Sequence, residues 1–129
     1  MVAHAKSSYP LEACGILGGR SDDEGDKKKW KVSDFFPMKN MDVSSISYFM
    51  DPKEQLQVFK KMRELKLEMR GIFHSHVASE AYPSQKDARL AFYPDVSYLI
   101  VSLSDRENPV LRSFRIIEEK ITEEEIKIV

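Results

Sequence analysis

The spacing of apolar and polar side chains changes several times along this chain, and each change marks an element. Residues 1–8 predict a short helix end, because Pro10 suits a helix stop better than a helix middle. The stretch Glu12-Ala-Cys-Gly-Ile-Leu-Gly-Gly19 is compact, apolar and glycine-terminated, which predicts a buried central strand running into a turn. Residues 20–29 place Asp22, Asp23, Glu24 and Asp26 ahead of three lysines and predict a solvated loop. β-branched and aromatic side chains over 30–37 and again over 46–50 predict two further strands, separated by the turn-like Lys39-Asn40-Met41-Asp42.

The strongest helix signal follows. Asp51 stands as N-cap, Pro52 at the first helical position and Glu54 at the third, and Val58, Met62, Leu65 and Met69 form an apolar stripe at helical spacing. After Gly71 the pattern alternates through Ile-Phe-His-Ser-His76, which predicts a strand and makes this section strand, helix, strand with a right-handed crossover. A short helix over 84–92 then leads to a buried strand over 96–103, and 105–109 reads as a turn. Two closing strands are expected at 110–117 and 124–129, flanking a charged turn at 118–120. The resulting class is α/β: a mixed central sheet flanked by helices.

Composition narrows the function. At 129 residues the chain suits one domain with a site built inside it. Apolar residues make up 42% and charged residues 32%, and no apolar run approaches the roughly 20 residues of a membrane span. A net charge of -1 gives no general attraction to nucleic acid. The single cysteine, Cys14, forbids an internal disulfide or a cysteine-based zinc knuckle, and the N-terminal residues carry no secretory apolar region, so a reducing, cytoplasmic setting is expected.

Candidate chemistry concentrates in one place. His74 and His76, two apart on a strand, project from one face about 6 to 7 Å apart and can chelate a single ion. Catalytic zinc takes three protein ligands and keeps a fourth position open, so a further ligand is needed nearby. Asp87, one turn into the helix that follows the histidine strand, is the best placed, with Ser84 at that helix's start. Each half has a bland explanation: His-x-His arises by chance on strands, and Ser84-x-x-Asp87 is a good capping box. The combined spacing, His74-Ser-His76, seven residues, Ser84, two residues, Asp87, has no structural reason to recur.

That spacing resembles the JAMM signature of the JAB1/MPN metalloprotease family, in which a distant Glu precedes His-x-His, seven residues, Ser, two residues and Asp. Asp51-Pro52, Tyr82-Pro83-Ser84 and the closing strands also look like the family's small prokaryotic members, which act on ubiquitin-like or sulfur-carrier proteins. The resemblance implies the JAB1/MPN, cytidine-deaminase-like fold over residues 1–129, Zn2+ held by His74, His76 and Asp87, and a Ser84 hydroxyl on the reacting oxygen. Glu12 stands where the family carries its acid/base residue, and a carboxylate on an apolar strand is costly to bury without a partner. The implied reaction is hydrolysis of an amide or isopeptide bond after the C-terminal Gly-Gly of such a carrier, whose thin tail could add as a strand beside the 45–50 segment. Two departures stand out. Only about ten residues precede Glu12, so either the sheet lacks the family's first strand or the start is truncated, and Val77 replaces the Pro that often follows the histidine pair.

Other residues have weaker claims. Cys14 reads as a small core residue, His4 as a surface helix residue, Ser75 as pointing away from the metal face, and the six methionines as core filler. The rival class is a noncatalytic MPN-type scaffold or protein-binding module, although such members typically lack the ligands that this chain keeps. A zinc deaminase would need Pro-Cys-x-x-Cys, which one cysteine excludes.

Overall fold

The computed structural model describes residues 1–22 and 29–128. Helix α1 spans Val2–Ser8 and is followed by strands β1 (Cys14–Asp22) and β2 (Lys29–Met38), helix α2 (Pro52–Glu64) and strand β3 (Glu68–His76). Helix α3 (Gln85–Arg89) and strands β4 (Ser97–Ser102), β5 (Val110–Ile117) and β6 (Lys120–Glu124) complete the order. The six strands form one sheet in the order β2-β1-β3-β4-β5-β6. Only β3 and β4 pair in parallel; the other four pairings are antiparallel. Among the described residues no helix is long and apolar enough to cross a membrane.

Alternation along the strands assigns the two faces of the sheet. Ala13, Leu17, Phe73, Leu99 and Val101 point to one face, where Ala5 of α1 packs against them. Cys14 and Ile16 point to the other and meet Met62 of α2, while Ile100 and Phe114 meet Ala88 of α3. Fully burying a side chain such as Phe73 or Phe114 contributes about 1.5–3 kcal/mol, so these clusters hold both layers to the sheet. His74 and His76 fall on the α2/α3 face, one residue out of step with Phe73. The mixed sheet flanked by helices is the architecture expected from the sequence.

Several local expectations need correction. No strand forms over 46–50: the one ladder contact is an isolated bridge between Asn40 and Met50. The side chain of Asn40 takes the place of a neighbouring strand, donating to Ser47 O at 2.9 Å and accepting from Phe49 N–H at 3.0 Å. The crossover therefore runs from β2 through α2 to β3, with β1 between two strands of like direction. The edges of the sheet are β2 and β6, not the 45–50 segment.

Helix α2 stops at Glu64 with Leu65 as C-cap, so Met69 belongs to β3 rather than to the helical stripe. Glu54 does not close a capping box; its carboxylate accepts from Lys39 N–H at 2.9 Å, while Asp51 caps Lys53 N–H. Gly71 lies within β3 rather than ahead of it. A Cβ there would come within 2.8 Å of Leu17 Cδ1, so glycine allows the leucine to cross the strand. Helix α3 ends at Arg89, with Leu90 as its cap, short of the expected 92. The last strand starts at Lys120 rather than 124, because Glu118 and Glu119 both adopt positive φ, 48° and 65°, and turn the chain in two residues. Ile126 then leaves the sheet to pack against the α1-side cluster. The central part of the expected 20–29 loop lies outside the described residues, while β1 continues to Asp22 and β2 begins at Lys29.

His4 is not a surface residue. It is half-buried on α1, donates from Nε2 to Cys14 O at 3.1 Å, and packs near Phe35 and Phe73. Cys14 is buried as expected, as are Met38, Met50 and Met62, whereas Met41 is exposed.

Candidate metal centre

The site is built where β3 ends. β3 pairs with β1 on one side and β4 on the other, with Cys14 and Ile100 as the neighbours of His74 and Ser102 as the neighbour of His76. A strand paired on both sides fixes the two histidine backbones. The chain then turns through 77–83 and starts α3 at Ser84, whose Oγ accepts from Asp87 N–H at 3.0 Å while Ser84 N–H donates to Asp87 Oδ2 at 2.9 Å. This is the capping box that the sequence suggested, and it does a second thing: it aims the Asp87 carboxylate at the histidines.

The three groups converge. Nε2 of His74 and Nε2 of His76 are 3.0 Å apart, and each lies 3.1 Å from Asp87 Oδ2. Three atoms held tetrahedrally at about 2.0–2.1 Å from one zinc ion stand roughly 3.3 Å apart. The triad thus needs to open by only a few tenths of an ångström, and its two-nitrogen, one-oxygen donor set suits a borderline ion such as zinc. His74, His76 and Asp87 form a group that could hold a metal ion. The orientation of His76 agrees, since its Nδ1–H donates to Glu80 O at 2.8 Å and leaves the Nε2 lone pair facing the centre. His74 lacks such a bond, and among the described residues its buried Nδ1 has no hydrogen-bond partner.

Protonation follows the same geometry. Burial raises the Asp87 carboxyl, but the hydrogen bonds from His74 and His76 outweigh it and hold it well below the usual carboxylate range. Burial depresses His74. In His76 burial acts the same way and is overcome by the bonds to Asp87 and to the Glu80 carbonyl, so its net shift is upward.

Glu12 lies just ahead of β1 with only 4% of its surface exposed. It shares the face of Cys14, two residues on, which lies opposite His74. Its backbone is tied on both sides: Glu12 N–H donates to Ser44 O at 2.8 Å, and Glu12 O accepts from Asn40 Nδ2 at 3.1 Å. Burial pushes its carboxyl up to about 7, with the nearby charge of His76 opposing and that of Asp87 adding. A carboxyl near 7 can both take and return a proton at neutral pH. Ser75 is engaged elsewhere, its Oγ accepting from Ala13 N–H at 2.8 Å.

Sequence reading did not find Asn40 or Tyr48. Asn40 falls in the turn expected at 39–42, but its buried amide joins the 41–49 segment to Glu12. The Tyr48 ring stacks on His74, centroids 4.7 Å apart and planes inclined by 21°. Ser44, Ser45 and Ser47 were the available signal, since three short polar residues beside Tyr48 suit an irregular segment better than a strand.

Comparison with known proteins agrees with this geometry. The family model for prokaryotic homologs of the JAB domain matches residues 1–117. A CysO-cysteine peptidase of Mycobacterium tuberculosis is 40% identical over 129 residues, all of this chain and 84% of that protein. A desampylase of Haloferax volcanii is 31% identical over 111 residues, covering 82% of this chain and 76% of that protein. The solution structure of a Desulfitobacterium hafniense protein superimposes with a TM-score of 0.85 at 49% identity, covering 98% of this chain and 84% of the other. With the family model spanning most of its length and the histidine pair and aspartate gathered at one point, the chain belongs to the prokaryotic JAB-domain family.

Proposed function

We propose that this protein is a zinc-dependent peptidase or isopeptidase that hydrolyses the amide bond after the C-terminal Gly-Gly of a ubiquitin-like or sulfur-carrier protein. The observation that carries the reading is the convergence of His74, His76 and Asp87 within 3.1 Å of one another, on the same face as a buried glutamate. Its relatives' names support the substrate class: one is a CysO-cysteine peptidase and another a desampylase. In this reading residues 1–129 act as one cytoplasmic MPN-type domain.

His74, His76 and Asp87 would hold the ion, which would supply Lewis acidity that polarises the scissile carbonyl and makes water a nucleophile near neutral pH. Glu12 takes the proton of the attacking water on its carboxylate and returns it to the departing amine, so one residue acts first as base and then as acid. Ser84 Oγ accepts from Asp87 N–H, and its own hydroxyl hydrogen is left to donate to the developing oxyanion. Asp87 would bind the ion as a carboxylate, the form in which its contacts with both imidazoles already hold it in the metal-free site.

The test uses purified protein, zinc analysis and a carrier bearing one residue beyond its Gly-Gly end. Stoichiometric zinc and cleavage that a chelator stops and zinc restores are expected. A metal-free protein that still cuts, or a zinc-loaded protein that cuts no carrier conjugate from its own genome, would sink the reading.

A further inference from the structure

The two histidines differ in how their rings are held. A metal-bound imidazole ordinarily donates its second N–H to a carboxylate, carbonyl or water, which fixes both tautomer and ring plane. His76 obeys this rule through Glu80 O. His74 does not. Its residue is 1% exposed, and its buried Nδ1 has no hydrogen-bond partner among the described residues. For Nε2 to offer a lone pair to a cation the ring proton must sit on Nδ1, where leaving it unpaired costs roughly 1–3 kcal/mol. No hydrogen bond on that side opposes rotation about χ2, a torsion with a broad minimum.

We infer that Tyr48 is the positioning residue that sets the His74 ring for metal binding, through face-to-face packing in place of the missing hydrogen bond; this rests on the metallopeptidase reading above. Its ring lies against the His74 ring at 4.7 Å and 21°, close to parallel, so it blocks rotation out of the plane in which Nε2 faces His76 and Asp87. Tyr48 can act as a fixed plate because both of its chain neighbours are held by one side chain. Asn40 donates to Ser47 O and accepts from Phe49 N–H, and Met41 N–H donates to Phe49 O at 2.8 Å. The same Asn40 amide also donates to Glu12 O. One buried amide thereby ties the plate behind the first ligand to the backbone of the proposed proton carrier.

This arrangement depends on an aromatic face at position 48 and not on the hydroxyl. The full chain is compared with Y48F, Y48L and Y48M, the last filling the space with an unbranched side chain. Zinc affinity is read by competition with a chromophoric chelator, the visible band of the cobalt-loaded protein reports ligand geometry, and the metal-free unfolding midpoint separates folding from orientation. Y48L and Y48M should weaken zinc binding about tenfold or more and alter the cobalt band, as losing an outer-shell partner does, while Y48F keeps the wild-type values. Wild-type affinity and band in whichever of Y48L and Y48M folds would overturn the role of Tyr48. An equal loss in Y48F would overturn it too, by assigning the effect to the hydroxyl. If the wild-type chain binds neither zinc nor cobalt stoichiometrically, the metallopeptidase reading itself fails and this inference with it.

Discussion

His74 and His76 stand on a strand paired along both edges, and Asp87 stands on a helix locked by a two-way cap, whereas Asn40 and Tyr48 stand in a segment with a single isolated bridge. The first region is a floor made of repeating backbone bonds. The second is a wall of irregular backbone in which one side-chain amide serves Glu12, Ser47 and Phe49 together. The floor can lose a side chain and keep its shape, so substitutions there should remove chemistry without removing structure. The wall has no ladder beneath it, so substitutions there should loosen geometry first and chemistry as a result.

The comparison breaks most sharply at the floor. Asp87→Ala removes the proposed anionic ligand together with the acceptor of the Ser84 N–H in the α3 cap, and we expect stoichiometric zinc to be lost and carrier cleavage to fall to the level of chelator-treated protein. Zinc retained at wild-type affinity in this variant, measured by metal analysis after dialysis, would remove Asp87 from the ligand set. Glu12→Gln keeps the volume and the backbone bonds to Ser44 and Asn40 but cannot accept a proton. Turnover should fall by roughly 10² to 10⁴-fold with zinc retained. Retention of wild-type kcat would show that the proton travels by another group.

Glu12 also offers an effect on stability with a definite sign in the metal-free protein. Burial raises its carboxyl from 4.5 to about 7, so between those values the unfolded chain has released a proton that the folded chain keeps. Stability from this group is therefore full below 4.5 and is lost as pH rises through 7, a change on the order of 3 kcal/mol. Asp87 acts in the opposite direction and in a different window, its contribution being lost only as pH falls below its ordinary 3.8. Burial lowers His74, and the bonds to Asp87 and Glu80 raise His76, in wild type and Glu12→Gln alike, so subtracting the variant's curve leaves the part that depends on Glu12. The unfolding free energy of the wild type minus that of the variant should fall steadily from pH 4.5 to about 7.5; a flat difference would mean that the Glu12 carboxyl is not raised. A bound divalent cation favours the charged form of Glu12 and should flatten the slope.

Legibility in the sequence follows the same division. The histidine strand, α2 with its Asp51 cap, β4 and β5 were readable because alternation and capping are local and repeat along the chain. The triad was readable because strand period and helix start convert spacing into direction. The 46–50 segment was not, because Ile46, Tyr48 and Phe49 have strand-forming side chains while the segment's bonds go to Asn40, a partner whose reach no local pattern encodes. The early start of β6 has a related reason: a charged turn is expected at 118–120, but Glu118 and Glu119 adopt positive φ without being Gly, Asn or Asp, so no composition cue shows that it closes in two residues. His4 was misplaced because the burial of α1 depends on the Phe35 and Phe73 rings beneath it.

Asn40→Ala is the mildest of these changes and the one that asks whether the wall is a structural unit. It removes four hydrogen bonds at a buried position: those donated to Glu12 O and Ser47 O, and those accepted from Phe49 N–H and Asp42 N–H, both at 3.0 Å. Some of these backbone groups can turn to water once the segment loosens, so the expected loss is about 1–3 kcal/mol rather than the sum of separate bonds. The floor should survive, since His74 and His76 remain in paired strand and Asp87 remains capped. We therefore expect a lowered unfolding midpoint, weaker zinc binding through a mobile Tyr48, and a lower kcat through a loosened Glu12, all at once. A variant that loses stability while keeping zinc affinity and kcat would show that the wall only supports the fold. One that loses kcat and zinc affinity at an unchanged midpoint would show that Asn40 is engaged with the site and not with folding. Loss of all three in proportion is what a single amide shared by Glu12 and the Tyr48 segment requires.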